Sequence, residues 1–142
     1  MTDIPSRPSI NVDKVCHIAL KARQFDVKEA VVEEQYGANA ADEGFREVLA
    51  DTPDDPVADE LRQFIRALDV DERAELVALA WVGRGDFERH GWREAVALAR
   101  REHGDDTSRY LLGLPLLGDY LEEGLAEFDL SCADFENRQF QD

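Results

Sequence analysis

The sequence predicts an all-α protein, and two observations carry that prediction. Apolar residues recur at intervals of three and four in several segments, and no segment alternates between apolar and polar residues as a half-buried strand does. The 142 residues, 44% of them hydrophobic, suffice for one domain with a core. We therefore expect a single-domain bundle of about five helices at residues 11–128, with a flexible arm at 1–10 and an acidic tail at 129–142.

The helix ends are marked by residues that cap or break helices. Asn11 is a good cap for the first helix, Pro56 suits a first helical position, and Gly83 or Gly85 can close the third helix. The first two expected helices span residues 11–25 and 56–69. The third begins at residue 69 or 71 and ends at 81, and the fourth begins at 87 or 92 and ends at 102. The fifth spans residues 106–128. Between the first two helices, residues 26–54 form either an extended acidic connection with one short helix near Phe45 or a partly disordered segment.

The most apolar pattern lies at residues 106–128, and we expect the rest of the chain to pack around it. Its stripe of apolar or small residues comprises Tyr110, Leu111, Leu114, Leu117, Gly118, Leu121, Leu125 and Phe128. Residues 110–117 are apolar nearly all round, which predicts enclosure by other helices or by a second copy of the chain. Pro115 removes a backbone donor within this run, so we expect a kink or short break at residues 113–115.

Acidic residues dominate the charge, with a formal net value of -16. Residues 26–60 hold twelve acids against two bases, and residues 119–142 hold eight against one. Direct binding to nucleic acid is disfavoured, because that affinity comes from lysine and arginine displacing counterions from phosphates. The plain interpretation is a solvated linker and a solvated tail.

The two cysteines, Cys16 and Cys132, are far apart in the sequence, and we expect both to be reduced. No apolar run approaches the ~20 residues of a membrane span, and the N-terminus lacks the apolar segment of a signal peptide. These features predict a soluble protein in the cytoplasm.

Three strings resemble a bacterial family known only as a domain of unknown function. They are LVALAWVGRGDF at residues 76–87, GW at 91–92 and TSRYLLGLPLLGDYLEEGL at 107–125. The resemblance covers roughly the C-terminal two thirds of the chain and implies an all-helical fold in a soluble bacterial protein. It implies no activity, cofactor or catalytic residue.

The loop at residues 83–86 is the first candidate for a ligand site. Its glycines let the backbone turn, Arg84 can bind a carboxylate through two donors, and Asp86 can cap the next helix. Trp81 and Trp92 flank it in sequence, and binding residues often lie on loops held by rigid helices. A purely structural role is the more common reading of such a loop.

The second candidate is a group of acids, Asp119, Glu122 and Glu123, on one side of a helix. Adjacent carboxylates can hold Mg²⁺ or Ca²⁺, although a solvated acidic face is the more common outcome. The sequence contains no Glu-x-x-His pair, no nucleophile elbow and no phosphate-binding GxxxxGK[ST] loop. It therefore predicts no catalytic residue, no metal ligand and no cofactor.

Three functional hypotheses follow, and the first is favoured. It is a non-enzymatic module that binds an unidentified protein partner or regulates it, or self-associates as a homodimer through residues 110–117. The second is a metal-dependent or small-molecule enzyme that uses residues 83–86 with residues 119–123. The third is an acidic decoy of nucleic acid that occupies a basic site on another protein.

Overall fold

The computed structural model describes residues 4–36 and 55–139, and these residues form α-helices, one short 3₁₀ helix at Arg89–Gly91 and no strand. The helices are α1 (Val12–Tyr36), α2 (Pro56–Ala67), α3 (Val70–Arg84), α4 (Trp92–His103), α5 (Thr107–Leu112), α6 (Leu117–Ala126) and α7 (Ala133–Gln139). The all-α prediction is confirmed. This part of the chain has seven helices instead of five, because residues 106–128 form two helices and the tail contains another.

Helix α1 continues to Tyr36, so the predicted end near Phe25 is wrong. Val27, Val31 and Tyr36 extend the helical spacing, and neither glycine nor proline interrupts the chain before Gly37. The first part of the predicted acidic connection is therefore helical. Residues 37–54, with the short helix expected near Phe45, lie outside the described residues.

Helices α2 and α3 follow each other closely in the chain, and a side chain caps the start of each. The Asp55 carboxylate accepts hydrogen bonds from the first-turn amides of α2 at 3.0 and 3.2 Å. Asp69 accepts from the Glu72 amide at 2.8 Å while the Glu72 carboxylate accepts from the Asp69 amide at 3.0 Å, which is a reciprocal capping box. Gly85 closes α3 with a left-handed φ of 94°.

The centre of the bundle is α3, and this corrects the prediction that residues 106–128 are the element around which the chain packs. All nine residues from Ala74 to Val82 are buried. Helix α3 packs against α6 and α4, α1 packs against α6, and α2 packs against α5 and α1. A helix that is apolar on every side needs neighbours on every side.

The stretch at residues 106–128 is two helices, not one kinked helix. Helix α5 ends at Leu112 and α6 begins at Leu117, with Pro115 in the connecting turn. Leu116 adopts a left-handed φ of 63° and is 51% exposed. The other leucines of this run, Leu111, Leu112, Leu114 and Leu117, are buried in the chain's own core. Their burial needs no second copy of the chain.

The described segments before α1 and after α6 contact the bundle. Phe135 of α7 is buried, so the tail is not solvated throughout. The Arg7 guanidinium donates to the Phe128 carbonyl at 3.3 Å. The division into arm, domain and tail stays a prediction. No helix in residues 4–36 and 55–139 has the length and apolarity needed to cross a membrane.

A buried carboxylate on α3 holds the N-terminal segment. Glu75 is 3% exposed and accepts three hydrogen bonds, from the Ser9 amide at 2.7 Å, the Ser9 hydroxyl at 2.6 Å and the Ile10 amide at 2.9 Å. A buried carboxylate needs such donors because its charge is poorly solvated. The sequence offers no signal for this contact, since Glu75 appears as one more acid in a helix.

We expect Glu75→Gln to lower the free energy of unfolding by about 1 kcal/mol. The amide oxygen still accepts from the Ser9 and Ile10 amides, but the bonds lose their charge assistance. Chemical denaturation measures the loss, and hydrogen exchange at the Ser9 and Ile10 amides should become faster. Glu94→Gln, on the exposed side of α4, is the control. Equal stability and unchanged exchange in both variants would contradict this role for Glu75.

Candidate functional site

The loop at residues 83–86 holds an internal ion pair. Arg84 donates from Nε and Nη2 to one oxygen of Asp86, at 2.8 and 2.6 Å. Partial burial by itself would lower the pKa of Arg84, but the bonds to Asp86 and the proximity of Tyr110 raise that pKa above its ordinary value. The expected cap by Asp86 is wrong, because the 3₁₀ helix that follows begins after Glu88 without a side-chain cap.

An aromatic cluster lies beside this loop. The Trp81 indole donates to the Tyr110 hydroxyl at 2.8 Å, and Tyr110 stacks on His103 with ring centroids 3.7 Å apart. His103 Nδ1 lies 3.1 Å from the Asp106 carboxylate, and the Asp106 side chain makes no capping hydrogen bond to α5. Phe87 stacks on Trp81 with ring centroids 5.8 Å apart. The polar group of this buried indole is thus satisfied within the chain, which fits a structural role.

Trp92 belongs to a different part of the core. It is fully buried and packs edge-on against Phe128, with ring centroids 5.2 Å apart. Its indole nitrogen has no hydrogen-bond partner in the described part of the chain. The structure therefore does not bring Trp92 to the surface near Arg84, and the pair of tryptophans does not form one site.

The acids of α6 contact an arginine that the sequence did not single out. Arg23 of α1 donates to Asp119 at 3.1 and 3.2 Å and also pairs with Glu122, whereas Glu123 is exposed. No hydrogen bond or ion pair between described residues joins these acids to Arg84 or Asp86. Within residues 4–36 and 55–139, no group of three His, Cys, Asp or Glu side chains is placed to hold a metal ion.

Cys16 and Cys132 form a disulfide, so the prediction that both are reduced is wrong. Helix α7 docks beside α1 and places the two Cα atoms 5.6 Å apart, within the range that a disulfide spans. The sequence could not reveal this proximity, because 116 positions separate the two cysteines and no helix was predicted in the tail. Disulfides are more typical of oxidising compartments. The cytoplasmic location stays a prediction.

A cleft of about 270 Å³ lies between α1, α6 and α7 at this disulfide. Its apolar wall comprises Cys16, Ala19, Leu20, Cys132 and Phe135, and its polar rim comprises Arg23, Gln24, Glu122 and Glu136. Among the described lining residues there are two acids and one base, and that base, Arg23, is paired with Asp119 and Glu122. Among the predicted site residues, Glu122 alone lines this cleft. An apolar pocket with a charged rim is the usual form of a binding site.

The comparison with known protein families covers 73 of the 142 residues. The family described as "Protein of unknown function (DUF3775)" matches residues 58–130. The chain belongs to this family. The predicted resemblance to a family known only as a domain of unknown function is thereby confirmed, whereas the bacterial origin stays a prediction. The description of DUF3775 names no activity. Neither a curated protein nor a solved structure matches the chain.

The DUF3775 region includes α2 from Ala58 onward and helices α3 to α6, with the aromatic cluster and the loop at residues 83–86. Both cysteines lie outside it, one before and one after. The disulfide therefore joins the segments that flank the family region, and most of the cleft wall comes from these segments. Glu122 is the one lining residue of the cleft within residues 58–130.

Proposed function

We propose that this protein is a non-enzymatic binding module whose cleft between α1, α6 and α7 accepts a basic amphipathic segment of a partner protein. The observation that supports the proposal best is the apolar cleft with its acidic rim. An apolar side chain of the partner enters the cleft, and flanking lysine or arginine side chains face Glu122 and Glu136. Anchoring side chains that fill pockets contribute most of the binding energy in many interfaces.

The size and charge of the site favour this partner over the alternatives. At about 270 Å³, the cleft lies just below the range of pockets for drug-sized ligands, which suits one or two side chains. The net charge of -16 attracts a basic partner and repels a second copy of the chain. The homodimer was predicted from the apolar character of residues 110–117. Four of their leucines lie in the core, so this reason for a second copy no longer holds.

A labelled helical peptide of lysine and leucine tests the proposal by fluorescence anisotropy at physiological salt. Leu20→Asp, which places a carboxylate in the cleft, is expected to weaken binding about tenfold or more, because a buried apolar anchor contributes about 1.5–3 kcal/mol. Val70→Asp is the matched control, since it makes the same charge change at an apolar residue outside the cleft that is 51% exposed.

The same titration contains the outcomes that contradict the proposal. A peptide of glutamate and leucine with the same apolar pattern should bind far more weakly, because it meets the acidic rim. Equal binding of the two peptides, or equal effects of Leu20→Asp and Val70→Asp, would show that the cleft does not select its ligand. Glu136→Lys should weaken binding of the basic peptide. It should leave the fold intact, since Glu136 is exposed.

A further inference from the structure

A second cleft, of about 430 Å³, lies where the end of α2 meets the starts of α3 and α5. Arg66 from the last turn of α2, Arg73 from α3 and Arg109 from α5 line it together. We propose that this arginine cleft binds a small organic phosphate. The site lies in the DUF3775 region and shares no lining residue with the cleft at the disulfide, so the proposal does not depend on the proposed function.

Two of these arginines lack a carboxylate partner in the described part of the chain, as Arg7, Arg93 and Arg101 also do, but these two line one cleft. Eight other lysine and arginine side chains lie within 3.7 Å of a carboxylate oxygen. Neither Arg66 nor Arg73 has such a partner among residues 4–36 and 55–139, although the protein has 32 acids. Asp105 and Asp106 also line the cleft, but Asp106 contacts His103, and the three lining arginines outnumber the two acids. Two guanidinium groups that face one cleft without an ion-pair partner favour an anion there.

The surroundings of Arg73 strengthen this inference. Its Nη1 atom donates to the carbonyls of Leu68 at 3.3 Å and Arg66 at 3.5 Å, which fixes the side chain at the end of α2. Its Nε atom is buried and has no acceptor in the described part of the chain. A guanidinium that is held in place loses less conformational entropy when it binds an anion, and a buried donor without an acceptor gains most from one.

The remaining lining groups indicate the class of ligand. Planar guanidinium groups match the oxygens of a phosphate, and the cleft has more room than a lone phosphate ion fills. Asp105 and Ser108 also line the cleft, and both can bind hydroxyl groups. None of the described lining residues is aromatic, so a nucleobase would find no ring to stack on. The chemistry therefore fits the phosphate ester of a small polyhydroxylated molecule.

Calorimetric titration of the full chain with glucose 6-phosphate tests the proposal at constant ionic strength. We expect saturable binding of glucose 6-phosphate, weaker binding of inorganic phosphate and no binding of glucose. Arg66→Ala should weaken binding of glucose 6-phosphate about tenfold or more, because a charge-assisted hydrogen bond to the phosphate is lost. Arg66→Lys should recover part of the affinity. Arg66 is the better position to change, because the Arg73 side chain also supports the end of α2.

Arg93→Ala is the matched control. Arg93 is exposed at the start of α4, about 15 Å along that helix from the cleft at its other end, and does not line it. Its removal should leave the affinity for glucose 6-phosphate unchanged. The absence of saturable heat with glucose 6-phosphate would overturn the proposal, as would equal losses in Arg66→Ala and Arg93→Ala. Equal affinity for succinate would overturn the assignment of a phosphate.

Discussion

Reduction of the Cys16–Cys132 disulfide is expected to lower the free energy of unfolding by about 3–5 kcal/mol. The bond closes a loop over a sequence separation of 116, so it removes many conformations from the unfolded chain. For a chain of this length, the melting temperature should fall by about 10–20 °C. Thermal unfolding followed by circular dichroism, with and without a thiol reductant, measures the change.

The variant with both Cys16→Ser and Cys132→Ser is the control for the reductant. It should melt at the temperature of the reduced protein and should not respond to the reductant. If the reductant leaves the melting temperature of the natural chain unchanged, the cysteines are not bonded in solution. The peptide titration gives a second result, because α7 provides part of the cleft wall. Loss of the disulfide removes the covalent link between α1 and the segment that leads into α7, and should therefore weaken binding of the basic peptide.

The helices that the sequence predicted well are those whose ends depend on nearby residues. Asp55 with Pro56 begins α2, and Gly85 ends α3, as the local chemistry requires. The split of residues 106–128 was also foreseen as a break near Pro115, although not as two separate helices. Caps and turns depend on residues that are adjacent in the chain, so a single sequence suffices to predict them.

The features that the sequence did not predict depend on contacts between distant residues. Cys16 meets Cys132, Glu75 meets Ser9, and Arg23 meets Asp119 only after the helices have packed. For the same reason, the sequence could not show that the predicted site residues lie in separate parts of the fold. The indole of Trp81 is satisfied by Tyr110 and the carboxylate of Asp86 by Arg84, whereas each cleft needs at least one helix from a distant part of the chain.

Gly124→Ala is expected to lower the free energy of unfolding by about 3 kcal/mol, because α3 and α6 touch through their backbones. A Cβ atom at Gly124 would lie 2.2 Å from the Leu79 carbonyl oxygen, and backbone cannot rotate away as a side chain can. Where a helix position is open, the same substitution stabilises by about 1 kcal/mol. Chemical denaturation therefore distinguishes the two cases by sign.

Gly91→Ala is the matched control, since a Cβ there would meet Phe87 at an ordinary 3.6 Å and the backbone φ is -90°. It should change stability by less than about 0.5 kcal/mol. A Gly124→Ala variant with the same free energy of unfolding as the unsubstituted protein would contradict the close contact of α3 with α6.

Gly83 forms the other half of this contact, and the pair allows a sharper test. A Cβ at Gly83 would lie 1.8 Å from the Tyr120 carbonyl oxygen and 2.9 Å from the Gly124 amide nitrogen. Each alanine alone must push α3 and α6 apart, and once they have separated, the second methyl group finds space already open. The double variant should therefore lose less stability than the two single variants together. Strict additivity would mean that the two glycines do not share one helix contact.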